Sequence, residues 1–362
     1  NKTKKYLNKV YPDINLYESP FELQRSKNIF SKLKYHFSGF LTAMSITKPQ
    51  GFINNLTKET DLVIFNGGNL FRAKRFVDYA RLIALMYPLK IANKNNIPYM
   101  IFPQSASNID KIGYYLLKKD LVNLEMLWTR EEISNKYLKD IFGFNNLYNT
   151  IDLSFFSNKH KYARKEFKNK YPLILKKFQG YRIAFTIRAQ VVGDLGNLKR
   201  KKVEKIKNVI TNTISNYLNE NDEIVLVIQT KKDKKITKEL YNKFEKNQNI
   251  HLIEEYDPLI IKEIYRNCDI LVGMRLHSII LSLSAGTPAI GFFEESWGYK
   301  NPGMMKKFNL PYEFIKDNVS NLNHSIKQVL KNRKEYINKI DEIIHNEKKK
   351  FTKKIQSLLE KI

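Results

Sequence analysis

Residues 269–293 read "DILVGMRLHSIILSLSAGTPAIGFF". "DILVGMR" is a short apolar run of strand length, "LHSIILSLSAG" continues as a buried helix ending on glycine, and "TPAIGFF" resumes as a strand. A strand, a crossover helix and a second strand make a βαβ unit, whose strands are parallel and covered on both faces. Arg275 closes the first strand and His277 falls in the first turn of the helix. That places both at the carboxyl edge of a parallel sheet, where ligands bind in such folds. Helix N–H groups without intrahelical partners and the helix dipole favour an anion there. Arginine can clamp a phosphate or carboxylate with two parallel hydrogen bonds, and histidine can move a proton near neutral pH. The plainer reading is an arginine capping carbonyls and a histidine satisfied in the core. The strand-to-helix crossing, followed by "SAGTP", favours the site.

The same alternation runs on both sides of this unit. Upstream come "DLVIFNGG" (61–68), the helical "RFVDYARLIALMYPLKIANKNN", the strand "IPYMIFPQS", the helix "IGYYLLKKDLVN", the strand "EMLWTR", the helix "EEISNKYLKDIF" and the strand "NLYNTIDLSFF". A second series follows: the strand "YRIAFTIR", a helix over 199–219, the strand "EIVLVIQT", a helix over 232–246, the strand "IHLIEE" and a helix over 257–267. The class is therefore α/β, with two doubly wound, Rossmann-like domains facing a cleft. The expected division is 1–160 for the N-terminal domain, a basic linker over 161–180, then 181–318 for the C-terminal domain. Residues 319–362 form a Lys/Glu-rich helical tail, most simply a solvated helix packing one apolar stripe back on the N-domain.

Composition sets limits on function. The 362 residues exceed one compact core, and 43% apolar content suits a globular protein. The net charge of +27 comes mainly from lysine in a chain rich in Asn and Ile, so nucleic acid is not the expected partner. An anionic substrate or an anionic membrane surface fits better. One cysteine, Cys268, excludes an internal disulfide and points to the cytoplasm, with peripheral contact at the inner face of the membrane. The six histidines show no metal-ligand spacing, so no metal and no cofactor are expected. The apolar window 269–293 is interrupted by Arg275, His277, Gly286 and Pro288, which excludes a membrane span there. The chain opens on Asn1 rather than Met, so upstream residues are expected, with room for a targeting segment.

Other strand ends offer polar groups. Gly67 and Gly68 in "FNGGNLF", with Asn69, let a ligand approach the backbone. Gln104 and Ser105 end another strand and could bind a ligand or cap a helix. Arg130 in "WTREEIS" is misplaced for the dipole of the helix it precedes, with Thr129 as N-cap, so an anion beside it is expected. Arg188 ends "FTIR" in the same way, and Lys300 sits in a Gly/Pro-punctuated loop. There is no GxxxxGK[ST], GxGxxG, GxSxG or HExxH motif.

In order, "DLVIFNGGNLF", "PYMIFPQS", "WTREEIS", "TIDLSFF" and "GMRLHSIILSLSAGTPAIGF" with Lys300 downstream resemble the polysaccharide pyruvyl transferase family. The resemblance implies a two-domain GT-B protein that moves a pyruvyl group from phosphoenolpyruvate, as co-substrate, onto a sugar of a cell-surface glycan precursor. A lipid-linked saccharide is a natural acceptor. It implies His277 as general acid/base, Arg275, Leu276, Lys300, Arg130 and Arg188 on the donor, and Gly67, Gly68, Asn69 and Gln104 on the acceptor side. Two features depart from the family pattern. Lys300 follows His277 at a longer spacing than usual, with "EES" (294–296) reading as an insertion. The chain also starts at what resembles the family's first helix, "YLNKVYPDINLYE". Two other functions compete. A nucleotide-sugar glycosyltransferase would use Glu254 or Glu255 on the ribose, and a non-catalytic basic module would bind anionic glycan or lipid through the tail.

Overall fold

The computed structural model describes residues 60–66, 71–74, 76–156, 161–191, 198–315 and 319–361, with residues 7, 8, 10–12, 14–16 and 41. The chain divides into two compact units. One comprises 1–153 with 347–362, the other 154–346.

The first unit follows the order β1 (Val63–Phe65), β2 (Phe71–Ala73), α1 (Phe76–Lys94), β3 (Tyr99–Gln104), β4 (Ala106–Ile109), α2 (Lys111–Asp120), β5 (Leu124–Thr129), α3 (Glu132–Phe142) and β6 (Leu147–Asn149). Its main sheet is parallel, in the order β1-β3-β5-β6, and β2 pairs with β4. All six residues of β3 are buried, as expected of a strand covered on both faces. Leu82, Met86 and Leu89 of α1 pack with Tyr99 and Ile101 of β3 in one apolar cluster.

The second unit continues with α4 (Lys161–Lys170), β7 (Arg182–Thr186), α5 (Arg200–Asn219), β8 (Glu223–Ile228), α6 (Lys234–Tyr241), β9 (Ile250–Glu254), α7 (Pro258–Arg266), β10 (Ile270–Gly273), α8 (Leu276–Ser284), β11 (Ala289–Phe293), α9 (Lys300–Lys307), β12 (Tyr312–Phe314), α10 (Val319–Lys331) and α11 (Arg333–Leu359). Its six-stranded sheet is parallel throughout, in the order β12-β11-β10-β7-β8-β9. Sequence order reverses between β7 and β10, so these neighbours form the topological switch point of a doubly wound sheet. Gly273 ends β10 where α8 lies close, since a Cβ there would meet Cγ1 of Ile279 at 2.7 Å.

Several boundaries differ from the sequence reading. The units divide at 153/154 rather than 160. Residues 161–180 are not a linker: α4 buries Ala163 and Phe167, one turn apart, and a 3₁₀ turn follows over Pro172–Leu175. "NLYNTIDLSFF" splits into β6 and a 3₁₀ turn over Leu153–Phe156, and the helix expected at 232–246 is confined to α6. The tail is α10 and α11, and residues from 347 onward belong to the first unit. There Phe351 is fully buried, edge-on to Phe102 (5.5 Å) and Trp128 (4.8 Å). Cys268 is core, with burial pushing its thiol well up.

The end of the tail, from 347 onward, is thus part of the first unit's core. Phe351→Ala should destabilise that unit by about 3–5 kcal/mol, seen as a lowered denaturant midpoint. The exposed Lys353→Ala should move it by less than about 0.5 kcal/mol.

Candidate active site

At the switch point, the segments after four adjacent strands are joined in one polar network around Arg275. Arg275 stands at the N-cap of α8 with extended backbone (φ −120°, ψ 134°). Its guanidinium turns inward. Nε donates to Oδ2 of Asp233 at 2.5 Å, and Nη2 donates to Oδ1 of Asp233 and Oε1 of Gln190, both at 2.7 Å. Asp233, at the start of α6 in the segment after β8, is almost wholly enclosed and also accepts from Thr230 Oγ1 (3.1 Å). Gln190, after β7, donates from Nε2 to the Lys232 carbonyl (2.7 Å). Its own carbonyl accepts from Trp297 Nε1 (3.0 Å) in the segment after β11. The anion expected beside Arg275 is therefore present inside the protein, as Asp233.

Arg188 belongs to the same cluster. Its guanidinium carbon lies 4.6 Å from the centre of the Trp297 ring, a cation–π contact. Nε donates to the Gln190 carbonyl (3.3 Å) and Nη2 to that of Val191 (2.7 Å). Thr186 Oγ1 and Ser278 Oγ lie 2.8 Å apart, joining the end of β7 to the first turn of α8. Leu276 is buried, whereas His277 is exposed on that same first turn. Lys300 opens α9 and is half-buried, two turns of chain beyond β11.

The remaining expected residues lie in the first unit or outside the described residues. Arg130 is buried after β5, and its anion is also internal: Nη1 pairs with Asp152 Oδ2 at 2.8 Å and Nε donates to Ser105 Oγ at 2.7 Å. The N-cap of α3 is Glu131, which accepts from the Ser134 N–H (2.7 Å), rather than Thr129. Burial pushes the Glu131 carboxyl above its ordinary range. Gln104 is fully buried and donates to the Asn66 carbonyl (3.2 Å), linking β3 to the end of β1. Gly67, Gly68 and Asn69 lie outside the described residues. Glu254 pairs with Lys234 (2.8 Å). Glu255 accepts from the N–H groups of Tyr256 (2.9 Å) and Asp257 (3.0 Å) and from Tyr171 (3.1 Å). Burial would raise Glu255, but these donors outweigh it and hold the carboxyl below the usual range. Among the described residues no group of three or more His, Cys, Asp or Glu is placed to hold a metal ion.

A model of the polysaccharide pyruvyl transferases matches residues 2–292. The chain belongs to that family. The match takes in β10 and the Arg275–His277 segment of this family member and ends before Lys300. Among curated proteins none matches. Among solved structures the chain is similar to the UDP-GlcNAc 2-epimerase of Neisseria meningitidis bound to UDP-GlcNAc, at 12% identity and TM-score 0.54 over 94% of this chain and 83% of that one. The UDP-GlcNAc 2-epimerase of Methanocaldococcus jannaschii gives 15% identity and TM-score 0.52 over 90% and 81%. A glycosyltransferase of Rickettsia africae gives 13% and 0.52 over 98% and 88%. At such identities the likeness is one of fold, and the fold is GT-B.

Asp233, Gln190 and Trp297 had no role in the sequence reading. "QTKKD" after β8 did carry a signal, a carboxylate just past a strand end. Asp233→Ala should cost about 3–5 kcal/mol by leaving a buried guanidinium unpaired, and adding Arg275→Met should recover most of that loss. Denaturant unfolding of the two variants checks this.

Proposed function

We propose that this protein transfers a pyruvyl group from phosphoenolpyruvate to a saccharide, closing it as a ketal on two hydroxyls and releasing inorganic phosphate. The observation that carries the reading is His277, exposed on the first turn of α8 directly beyond the Arg275–Asp233 clamp, in a member of the pyruvyl transferase family. Phosphoenolpyruvate bears a phosphate and a carboxylate, and both need cations or oriented N–H groups. The start of α8 at Leu276 and His277 supplies the dipole for one end. Arg188, after the neighbouring strand β7, and Lys300, after the other neighbour β11, are the donor cations of the second unit. Arg130 is the donor residue proposed for the first unit, and Gln104 with Gly67, Gly68 and Asn69 are proposed for the acceptor. Arg275, charge-matched by Asp233, holds the first turn of α8 in place and contributes polarised N–H edge rather than net charge.

In this reading His277 acts as general acid/base. Protonation at C3 makes C2 electrophilic, and a sugar hydroxyl adds there while giving up its proton. The second hydroxyl then displaces phosphate. Two hydroxyls and one phosphoenolpyruvate thus yield one ketal and one phosphate. A cytoplasmic enzyme acting on a lipid-linked precursor of a bacterial capsule or exopolysaccharide fits this chemistry. The nucleotide-sugar alternative is weaker, because Glu254 is paired with Lys234 and Glu255 is bound by its own loop.

With phosphoenolpyruvate and candidate saccharides, phosphate should be released and the acceptor should gain the mass of pyruvate less water. His277→Ala should lower kcat roughly 10²- to 10⁴-fold without lowering the unfolding temperature. Thermal stabilisation by UDP or GDP but not by phosphoenolpyruvate would sink the proposal.

A further inference from the structure

The second unit carries, on α4 and the turn that follows it, a surface that the transfer reaction does not use. Over 161–177 the cations Lys161, Arg164, Lys165, Lys168, Lys170, Lys176 and Lys177 stand against a single acidic residue of the stretch, Glu166, and Lys170 is paired with Glu255 (3.4 Å). Lys161, Arg164, Lys165 and Lys168 recur at helical spacing on the face of α4 away from the buried Ala163 and Phe167. These are the same residues whose helical phase, rather than any linker character, explains their run of charge. Among the described residues none of these four has an acidic partner.

Beside that face, the turn Pro172–Leu175 presents Leu173, 53% exposed, and Leu175, 40% exposed, while Ile174 between them is buried. The turn is held from within. Arg182 Nη1 donates to the Ile174 carbonyl (2.6 Å), and Nη2 donates to that of Lys176 (3.0 Å). The same guanidinium pairs with buried Glu223. Burial alone would raise the Glu223 carboxyl, but His251 and Arg182 outweigh it and hold it low, so the anchor is ionised at neutral pH. Two leucines are thus displayed on a fixed backbone rather than on a loose loop. A cavity of about 570 Å³ is bordered by Lys161, Arg164, Lys168 and Arg266 together with Leu175, so cations and leucine face one space. Glu263 on its wall is bound to Arg266 (3.2 Å).

We infer that this surface docks the protein on an anionic phospholipid bilayer, the lysines and arginine meeting the headgroups and Leu173 and Leu175 entering the interface. Clustered cations with projecting apolar side chains suit that boundary, where each basic residue adds attraction and buried apolar area adds depth. The tail suits it less. Its apolar residues Ile340, Phe351, Ile355 and Leu358 are buried, and Glu335, Asp341, Glu342 and Glu347 dilute its lysines. No helix among the described residues is long and apolar enough to cross a membrane, so attachment here is peripheral.

The test is co-sedimentation of the full chain with phosphatidylcholine vesicles, with and without phosphatidylglycerol. Binding should require phosphatidylglycerol and weaken with added salt. Lys161→Glu/Arg164→Glu/Lys168→Glu and Leu173→Ser/Leu175→Ser should each lower the partition at least about tenfold, with unchanged unfolding temperatures because the residues are exposed. Lys349→Glu/Lys350→Glu/Lys353→Glu in the tail should leave it within about twofold. Leu175→Trp should show blue-shifted, bromolipid-quenched emission on binding. No binding by the wild type, wild-type binding by the first two variants, or loss only on changing the tail would each overturn the assignment.

Discussion

The buried pair between Arg275 and Asp233 is the constraint on which the rest of the second unit's site depends. Removing a guanidinium and a carboxylate from water costs several kcal/mol per ion, which only good geometry and further hydrogen bonds offset. Here the contact is two-pronged, and Gln190 and Thr230 supply additional bonds. Gln190 in turn receives Trp297, over whose ring Arg188 lies. The segments after β8, β7, β10 and β11 are therefore held by one connected set of polar groups. Those strands are consecutive neighbours in the sheet, so the network spans the carboxyl edge on both sides of the switch point.

This arrangement separates Arg275 from His277. In a strand, residues two apart point the same way. The chain is still extended at Arg275 and becomes helical at Leu276, so the alternation ends between the two. Arg275 goes inward to Asp233 and His277 goes out to solvent. Gly273 and the Thr186–Ser278 hydrogen bond then hold α8 close to β10 and β7, so the exposed imidazole stands on a rigid base.

The same logic recurs elsewhere. Arg130 sits at a strand end and is matched by Asp152, and Arg182 is matched by Glu223 at the other edge of the second sheet. In each case an arginine at one end of a strand has a carboxylate of the protein itself as its partner. Such pairs stiffen the loops around a site, and that stiffness makes a surface turn such as Pro172–Leu175 a stable platform.

The alternation of strands and helices, the parallel sheets and the location of Arg275 and His277 at a strand-to-helix crossing were all legible in the sequence. They depend on local periodicity, because a strand buried on both faces must read as an apolar run and an amphipathic helix must repeat at its own pitch. The short strands β2, β4 and β12 and the helix α9 were not legible, since three- or four-residue strands carry little periodic signal. The helix α4 was hidden by its charge, with only Ala163 and Phe167 marking its buried side. Nor could the sequence show that Asp233, forty-two residues before Arg275, would be its partner. Nothing local marks such a pairing, because it exists only once the sheet order places β10 next to β7 and β7 next to β8. The sequence by itself determined which residues could do chemistry. The tertiary structure decided which of them are matched within the protein and which face outward, because burial and pairing depend on neighbours brought together only by the fold.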